Sequence, residues 1–224
     1  MIIAIDGPAG SGKSSTARAV AQRLGFKHLD SGAFYRALTL AALRSGWPVE
    51  TWPDLNAQQL EALGIHARAV GTGLRLLAHD QDITGDLRSA AVNAHVSLMA
   101  RVPAVRAWLL ARLRAAAATT NLVADGRDMG TVVFPGAQLK VFLTAERATR
   151  ARRRLAEQGI EQPAADEIDE ETERLLGRDR IDSEREIAPL RPAHDAVPLD
   201  TTALSFEEQV ATIVGLARER GARG

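Results

Sequence analysis

The chain has 224 residues, with 28 basic side chains against 28 acidic ones and no cysteine. Zero net charge argues against bulk nucleic-acid or membrane-surface binding. The lack of cysteine excludes disulfides and thiolate metal sites and fits a reducing compartment. The length suits one large domain or a core with insertions. No run is long enough to cross a bilayer, and the chain starts with a strand-like run rather than a leader, so a soluble cytoplasmic protein is expected. Lys13, Lys27 and Lys140 are the only lysines. Most cationic chemistry therefore falls to arginine, the side chain suited to bidentate phosphate contacts.

Ile2-Ile3-Ala4-Ile5 reads as a short strand. It leads into Gly7-Pro8-Ala9-Gly10-Ser11-Gly12-Lys13-Ser14, and Ser15 opens a helical run. This is the strand–GxxxxGK[ST]–helix pattern of a P-loop. Glycines let backbone N–H groups curl around phosphate oxygens, and the following helix points its positive end at the same anion. Lys13 can reach the β- and γ-phosphates of a nucleotide, and the Ser14 hydroxyl can hold Mg²⁺.

Ala17, Val20, Ala21 and Leu24 predict a helix over 14–24, closed by Gly25. An extended piece, Phe26 to Leu29, reaches Asp30-Ser31-Gly32. A second helix is expected over about 33–44, followed by loop and a short helix near 56–63. Two alternating runs, 65–70 and 74–79, flank Gly71-Thr72-Gly73 and predict a β-hairpin, with a third short strand at 80–84. Helices are expected near 86–100 and from Pro103 to the alanine run before Asn121. Leu122-Val123-Ala124 and Leu139–Leu143 read as buried strands. A basic helix with Arg147, Arg150, Arg152, Arg153 and Arg154 precedes an acidic stretch, 157–173. A strand near 196–199 and a last helix capped by Ser205 and Glu208 finish the chain. Strands alternating with helices behind a P-loop imply a parallel sheet covered on both faces, with ligands beyond the carboxyl ends of its strands.

A P-loop identifies a donor and leaves the acceptor open. In Asp30–Arg36, free N–H groups at a helix start together with Arg36 suit a second phosphate, or form only a cap and a surface arginine. Gly126-Arg127-Asp128 directly follows a buried strand, where ligands sit in open α/β sheets; a capping turn is the alternative. Arg178, Asp182 and Arg185 are spaced to share one helix face, as a binding face or a solvated ladder. The arginines of 147–154 are a lid for a transferring phosphoryl group, a nucleic-acid stripe, or a helix balanced by the acidic segment. His28, His66, His79, His95 and His194 are scattered without metal-ligand spacing and are read as surface or structural.

The chain resembles the bacterial cytidylate kinases, the (d)CMP kinases of the nucleoside monophosphate kinase group, over nearly its whole length. The likeness rests on Ile5–Ser14, Leu29–Arg36, Ala124–Thr131, Phe142–Ala145 and Ala188–Leu190. It implies an α/β P-loop kinase fold: a central parallel sheet with helices on both faces, a small β-rich insertion and a helical lid. The implied parts are a core of 1–62, 92–149 and 178–224, an insertion of the monophosphate-binding domain at 63–91, and a lid at 150–177.

The resemblance also implies ATP on Gly7, Pro8, Ala9, Gly10, Ser11, Gly12, Lys13, Ser14 and Ser15, with Mg²⁺ at Ser14. CMP or dCMP would lie on Ser31, Tyr35, Arg36, Ser97, Arg106, Arg127, Asp128, Arg178, Asp182 and Arg185. Lys13, Arg127, Arg185 and the lid's Arg150, Arg153 and Arg154 would stabilise the transferring group. The adenine would be held mostly by backbone, with the loop at Thr201–Thr202 as a candidate, and a monomer is implied. Ser15 and Phe34 depart from common family residues without touching the implied chemistry. Another P-loop small-molecule or nucleotide kinase is the nearest alternative. A P-loop switch protein would need an Asn-Lys-x-Asp guanine motif, which the sequence lacks.

Overall fold

The computed structural model describes residues 1–71, 73–118 and 120–222, with backbone alone at 69. In chain order the elements are β1 (Ile2–Asp6), α1 (Lys13–Leu24), β2 (Lys27–Asp30), α2 (Ser31–Arg44), α3 (Ala57–Ala62), β3 (Ile65–Val70), β4 (Gly73–Ala78) and β5 (Gln81–Asp82). Then come α4 (Ala90–Met99), α5 (Pro103–Ala117), β6 (Leu122–Gly126), β7 (Leu139–Thr144), α6 (Arg147–Ala156), α7 (Ala165–Glu184), β8 (Val197–Asp200) and α8 (Phe206–Glu219).

Five parallel strands form the main sheet in the order β2-β6-β1-β7-β8. The period-2 rule sorts the side chains of the central strand. Ile3 and Ile5 pack with Val20, Ala21 and Leu24 of α1 and with Val210 and Ile213 of α8. Ala4, facing the other way, packs with Leu38 of α2, Val96 of α4 and Leu109 of α5. Burying each large aliphatic side chain contributes about 1.5–3 kcal/mol. With both faces covered, β6 is buried along its whole length, which is why Leu122-Val123-Ala124 shows no alternation. The parallel sheet with helices on both faces agrees with the sequence reading.

A separate antiparallel sheet of β3, β4 and β5 lies within the stretch expected as an insertion. Thr72, in the expected turn, lies outside the described residues. Lys27 Nζ donates to Gly71 O at 2.8 Å and ties this hairpin to β2. The closing helix is capped as expected: Ser205 Oγ accepts from Glu208 N at 3.3 Å, and Glu208 Oε2 accepts from Ser205 N at 2.8 Å.

Several boundaries differ from expectation. Helix α2 starts at Ser31, because the Asp30 carboxylate caps it by accepting from Ala33 N at 3.0 Å. The stretch expected to be helical from 86 begins with a 3₁₀ turn at Thr84–Asp86, and α4 starts only at Ala90. A 3₁₀ segment, Val49–Asp54, occupies what read as loop. A π-helical turn, Met129–Val133, follows β6. The expected lid limits at 150 and 177 fall inside α6 and α7.

Candidate active site

The P-loop leaves the carboxyl end of β1 and runs into α1. Gly7 is required by close approach, since a Cβ there would stand 2.2 Å from the Leu143 carbonyl oxygen of β7. Gly12, at φ 86°, occupies the left-handed region just before the helix. Lys13 folds back over the loop, Nζ donating to Pro8 O at 3.1 Å. Burial, and then the Arg127 charge, push its ammonium down from 10.5 to about 7.

Beside the loop, Ser14 Oγ donates to the Asp125 carboxylate at the end of β6, and His28 Nε2 lies 2.8 Å from the other oxygen of that carboxylate. Burial works against ionised Asp125, but His28, Ser14 and Lys13 outweigh it and hold the carboxyl below the usual range. Asp30 is pushed the opposite way, by burial and then by Asp125. His28 is therefore buried against the P-loop's partner carboxylate, which corrects the surface reading and gives the structural one a definite place. Among the described residues there is no cluster of three or more His, Cys, Asp or Glu suited to a metal.

Beyond β6 a second group of side chains is linked end to end. The Arg106 guanidinium stands over the Tyr35 ring, 5.7 Å from its centroid, and forms a buried ion pair with Asp128. Arg185 Nη2 lies 3.5 Å from Asp128, and Arg185 Nη1 lies 3.7 Å from Asp182. Asp182 Oδ2 in turn accepts from Arg127 Nε at 2.8 Å. Ser31 Oγ donates to Asp125 O at 2.8 Å and so joins the start of α2 to the end of β6. Ser97 is buried on α4, and among the described residues its hydroxyl takes part in none of these bonds.

Sequence spacing put Arg185 on one helix face with Arg178 and Asp182. The structure corrects this: α7 ends at Glu184, and Arg185 has extended backbone, φ −65° and ψ 140°. Its Nε donates to Ala188 O at 2.6 Å, which turns the side chain back into the cluster.

Arg36, Arg127 and Arg178 complete a concentration of positive charge. Arg36 Nη1 donates to Asn93 Oδ1 at 2.7 Å and to Leu87 O at 3.1 Å. Burial, then Arg178, Arg88 and Arg154, push Arg36 down to about 9. Burial and then Arg127 push Arg178 down to about 10. Its Nε is buried with no hydrogen-bond partner among the described residues. Arg127 escapes this fate because Asp182 offsets its burial and raises it instead. Buried cations that lower one another in this way would be relieved by a multivalent anion.

The three arginines expected on a lid sit differently from one another. Arg150 Nη1 donates to Ala9 O at 3.0 Å and pairs with Asp179, whose Oδ1 accepts from Ala9 N at 2.9 Å. Arg153 Nη2 donates to Thr201 O at 2.7 Å, and its Nη1 to Thr201 Oγ1 at 2.9 Å and to Ser11 O at 3.3 Å. Arg154 reaches toward the second group, donating to Glu157 at 2.7 Å and to Asn93 Oδ1 at 3.3 Å. Two of the three therefore hold P-loop carbonyls, and one faces the Arg36 side.

Asp125, His28, Asn93 and Asp179 were missed as site residues. For Asp125 a signal existed: a carboxylate at the carboxyl end of a buried parallel strand. For Asn93 and Asp179 the sequence carries none.

A P-loop and a second group of buried arginines, both at the carboxyl ends of one parallel sheet, fit the architecture of the P-loop phosphotransferases. The model of the family described as cytidylate kinase matches residues 3–219. A cytidylate kinase of Pseudomonas savastanoi pv. phaseolicola is 43% identical over 232 residues, covering 100% of this chain and 97% of that protein. One from Geobacillus kaustophilus is 44% identical over 218 residues, covering 97% and 96%. A crystal structure of an uncharacterised protein from Eubacterium ventriosum shares the fold, with a TM-score of 0.50 at 10% identity over 97% of this chain and 98% of that one. The chain belongs to the cytidylate kinase family.

Proposed function

We propose that the protein transfers the γ-phosphoryl group of ATP to CMP or dCMP, giving ADP and CDP or dCDP. The observation that carries the reading is the group of buried cations Arg36, Arg127 and Arg178, two of which act on the charge of Lys13, with Arg178 Nε left without a partner among the described residues. An acceptor phosphate bound there would be matched in charge and aimed at the P-loop.

The linked group beyond it suits a cytosine. Its exocyclic amino group donates, which suits the Asp128 carboxylate; a carboxylate has lone pairs to spare beyond those used by Arg106 and Arg185. Ring N3 and O2 accept, which suits Arg106. Uracil reverses both ends of this pattern, turning a donor toward arginine and an acceptor toward carboxylate. Tyr35 supports Arg106 from beneath, and Arg178 and Asp182 are within the chemistry of ribose hydroxyls.

In the transfer an oxygen of the CMP phosphate forms the new bond to the γ-phosphorus as the bond to the bridging oxygen of ADP breaks. The acceptor is already an anion, so no general base is needed. Lys13, Arg127 and Arg185 stabilise charge on the three moving groups and hold them in line. In this reading 150–177 is a lid whose Arg150, Arg153 and Arg154 complete that shell and exclude water, while 63–91 belongs to the monophosphate-binding part.

Magnesium fits the donor side. Ser14 directs its proton to Asp125, so its oxygen lone pairs stay free for a cation, with ionised Asp125 beside it. When bound, the ion neutralises charge on the β- and γ-phosphates. ATP as donor supports a cytoplasmic setting, and a monomer remains what the family likeness implies.

Arg127→Ala tests the acceptor role. kcat/KM for CMP should fall about a hundredfold or more, because a buried, hydrogen-bonded charge on the phosphate is lost. Affinity for ADP should change less than about threefold. Equal loss on both sides rejects the assignment.

A further inference from the structure

Asp6 is the last residue of β1 and immediately precedes the P-loop. Its side chain is 4% exposed, and both carboxylate oxygens are engaged: Oδ1 accepts from Met129 N at 2.8 Å and Oδ2 from Gly130 N at 2.7 Å. Those two N–H groups open the π-helical turn Met129–Val133. The turn is held from its other side by Asp128, whose carbonyl accepts from Val132 N at 2.9 Å and Val133 N at 3.0 Å. Asp128 thus sits between its own backbone anchor to the turn and its side-chain pairs with Arg106 and Arg185. Arg127 precedes it in a strand-end position where Gly126 is in register with Asp6.

Packing leaves the turn little freedom. Met129 is fully buried, and a Cβ on Gly130 would stand 3.1 Å from Lys140 Cδ and 3.4 Å from Asp6 Oδ2. A buried carboxylate is expensive, and here burial pushes the carboxyl up to about 6 in spite of both backbone donors. An apolar residue would have suited the core packing at this parity of β1, where Ala4 already faces the same cluster. A carboxylate here therefore serves the two N–H groups it holds.

We infer that Asp6 is a positioning residue for the acceptor half of the site, fixing through the 129–133 turn the aim of Arg127 and Asp128. The inference rests on the acceptor roles proposed above for those two residues. It also means that one strand end sets both halves: its backbone begins the P-loop, and its last side chain holds the acceptor turn.

Asp6→Asn keeps the shape but offers one accepting oxygen, so its amide N–H₂ faces one of the two backbone donors. Gly130→Ala disturbs the same turn by pressing a Cβ against Lys140 Cδ while keeping the Asp6 carboxylate and both backbone donors. For each variant the measurements are kcat and KM for CMP at saturating ATP, the Kd for ADP without acceptor, and the thermal melt. Wild type and Arg127→Ala are measured alongside.

Asp6→Asn and Gly130→Ala should each raise KM for CMP about tenfold or more, while Kd for ADP stays within about twofold. Parallel loss of CMP and ADP binding, or a lowered Tm with KM for CMP unchanged, overturns the inference and leaves Asp6 a fold anchor. Should Asp6→Asn fail to fold, Gly130→Ala decides by the same criteria. If Arg127→Ala retains wild-type kinetics for CMP, the acceptor reading itself has failed. If Arg127→Ala loses CMP while the folded turn variants do not, only the role of Asp6 has failed.

Discussion

Lys13 is the residue whose charge state should change most when the donor nucleotide binds. Its ammonium is buried, with Arg127 and Arg178 adding to the penalty and Asp125 and Asp30 in partial compensation, and it falls from 10.5 to about 7. That fall corresponds to about 5 kcal/mol between the charged and neutral forms. At pH 8 the amine of the free enzyme is then about nine-tenths neutral. A bound diphosphate or triphosphate restores the ordinary value, so binding should draw about 0.9 proton from solution at that pH. Calorimetry of ADP binding at pH 8 in buffers of different ionisation enthalpy reads this number directly, and ADP's own phosphates are already ionised there. Lys13→Met should abolish the uptake.

The same group sets a stability trend without nucleotide. Its folded value lies below its unfolded value, so the unfolded chain binds the extra proton between pH 7 and 10.5. The destabilisation is complete below pH 7 and fades as pH rises, by about 2 kcal/mol between pH 7 and 9. Proton uptake below about 0.1, or uptake unchanged in Lys13→Met, would refute the reasoning.

Two further outcomes follow from named bonds. Asp128→Asn should cut the preference for CMP over UMP ten- to a hundredfold, the range of about 1–3 kcal/mol for a base-edge contact; parallel kcat/KM values for the two nucleotides would check it, and an unchanged ratio would move the base contact elsewhere. Ser205→Ala removes one half of the α8 capping box and should cost about 1 kcal/mol, lowering Tm by about 3 °C with kcat/KM for CMP unchanged.

The P-loop was legible because all its parts are contiguous: β1, the glycines, Lys13 and α1 follow one another within the first two dozen residues. The hairpin of β3 and β4 was legible for the same reason, its register being set locally. Arg127 and Asp128 could be singled out from their place after a strand buried along its whole length.

What failed to show depends on partners remote in sequence. The π-helical turn at 129–133 is held by Asp6, more than 120 positions away, and nothing local signals it. His28 lies in a short polar-apolar strand, and only the pairing of β2 with β6 brings it to Asp125. Arg185 follows the spacing of α7 in sequence, but α7 ends one residue earlier, at Glu184, and Arg185 has extended backbone with its side chain bonded to Ala188 O. Arg150 was visible as part of a basic helix face; that it holds Ala9 depends on how α6 and α7 pack together over the P-loop.

Transfer from ATP on the P-loop to a cytidine monophosphate on the arginine group is measured most directly as ADP release with ATP and magnesium in the presence of CMP, dCMP, UMP, AMP or GMP at equal concentration, with the diphosphate product identified. Rapid turnover of CMP and dCMP to CDP and dCDP, with little from the purine nucleotides, is the expected result. ADP release that no monophosphate stimulates, in a folded preparation that binds ATP, would contradict the account.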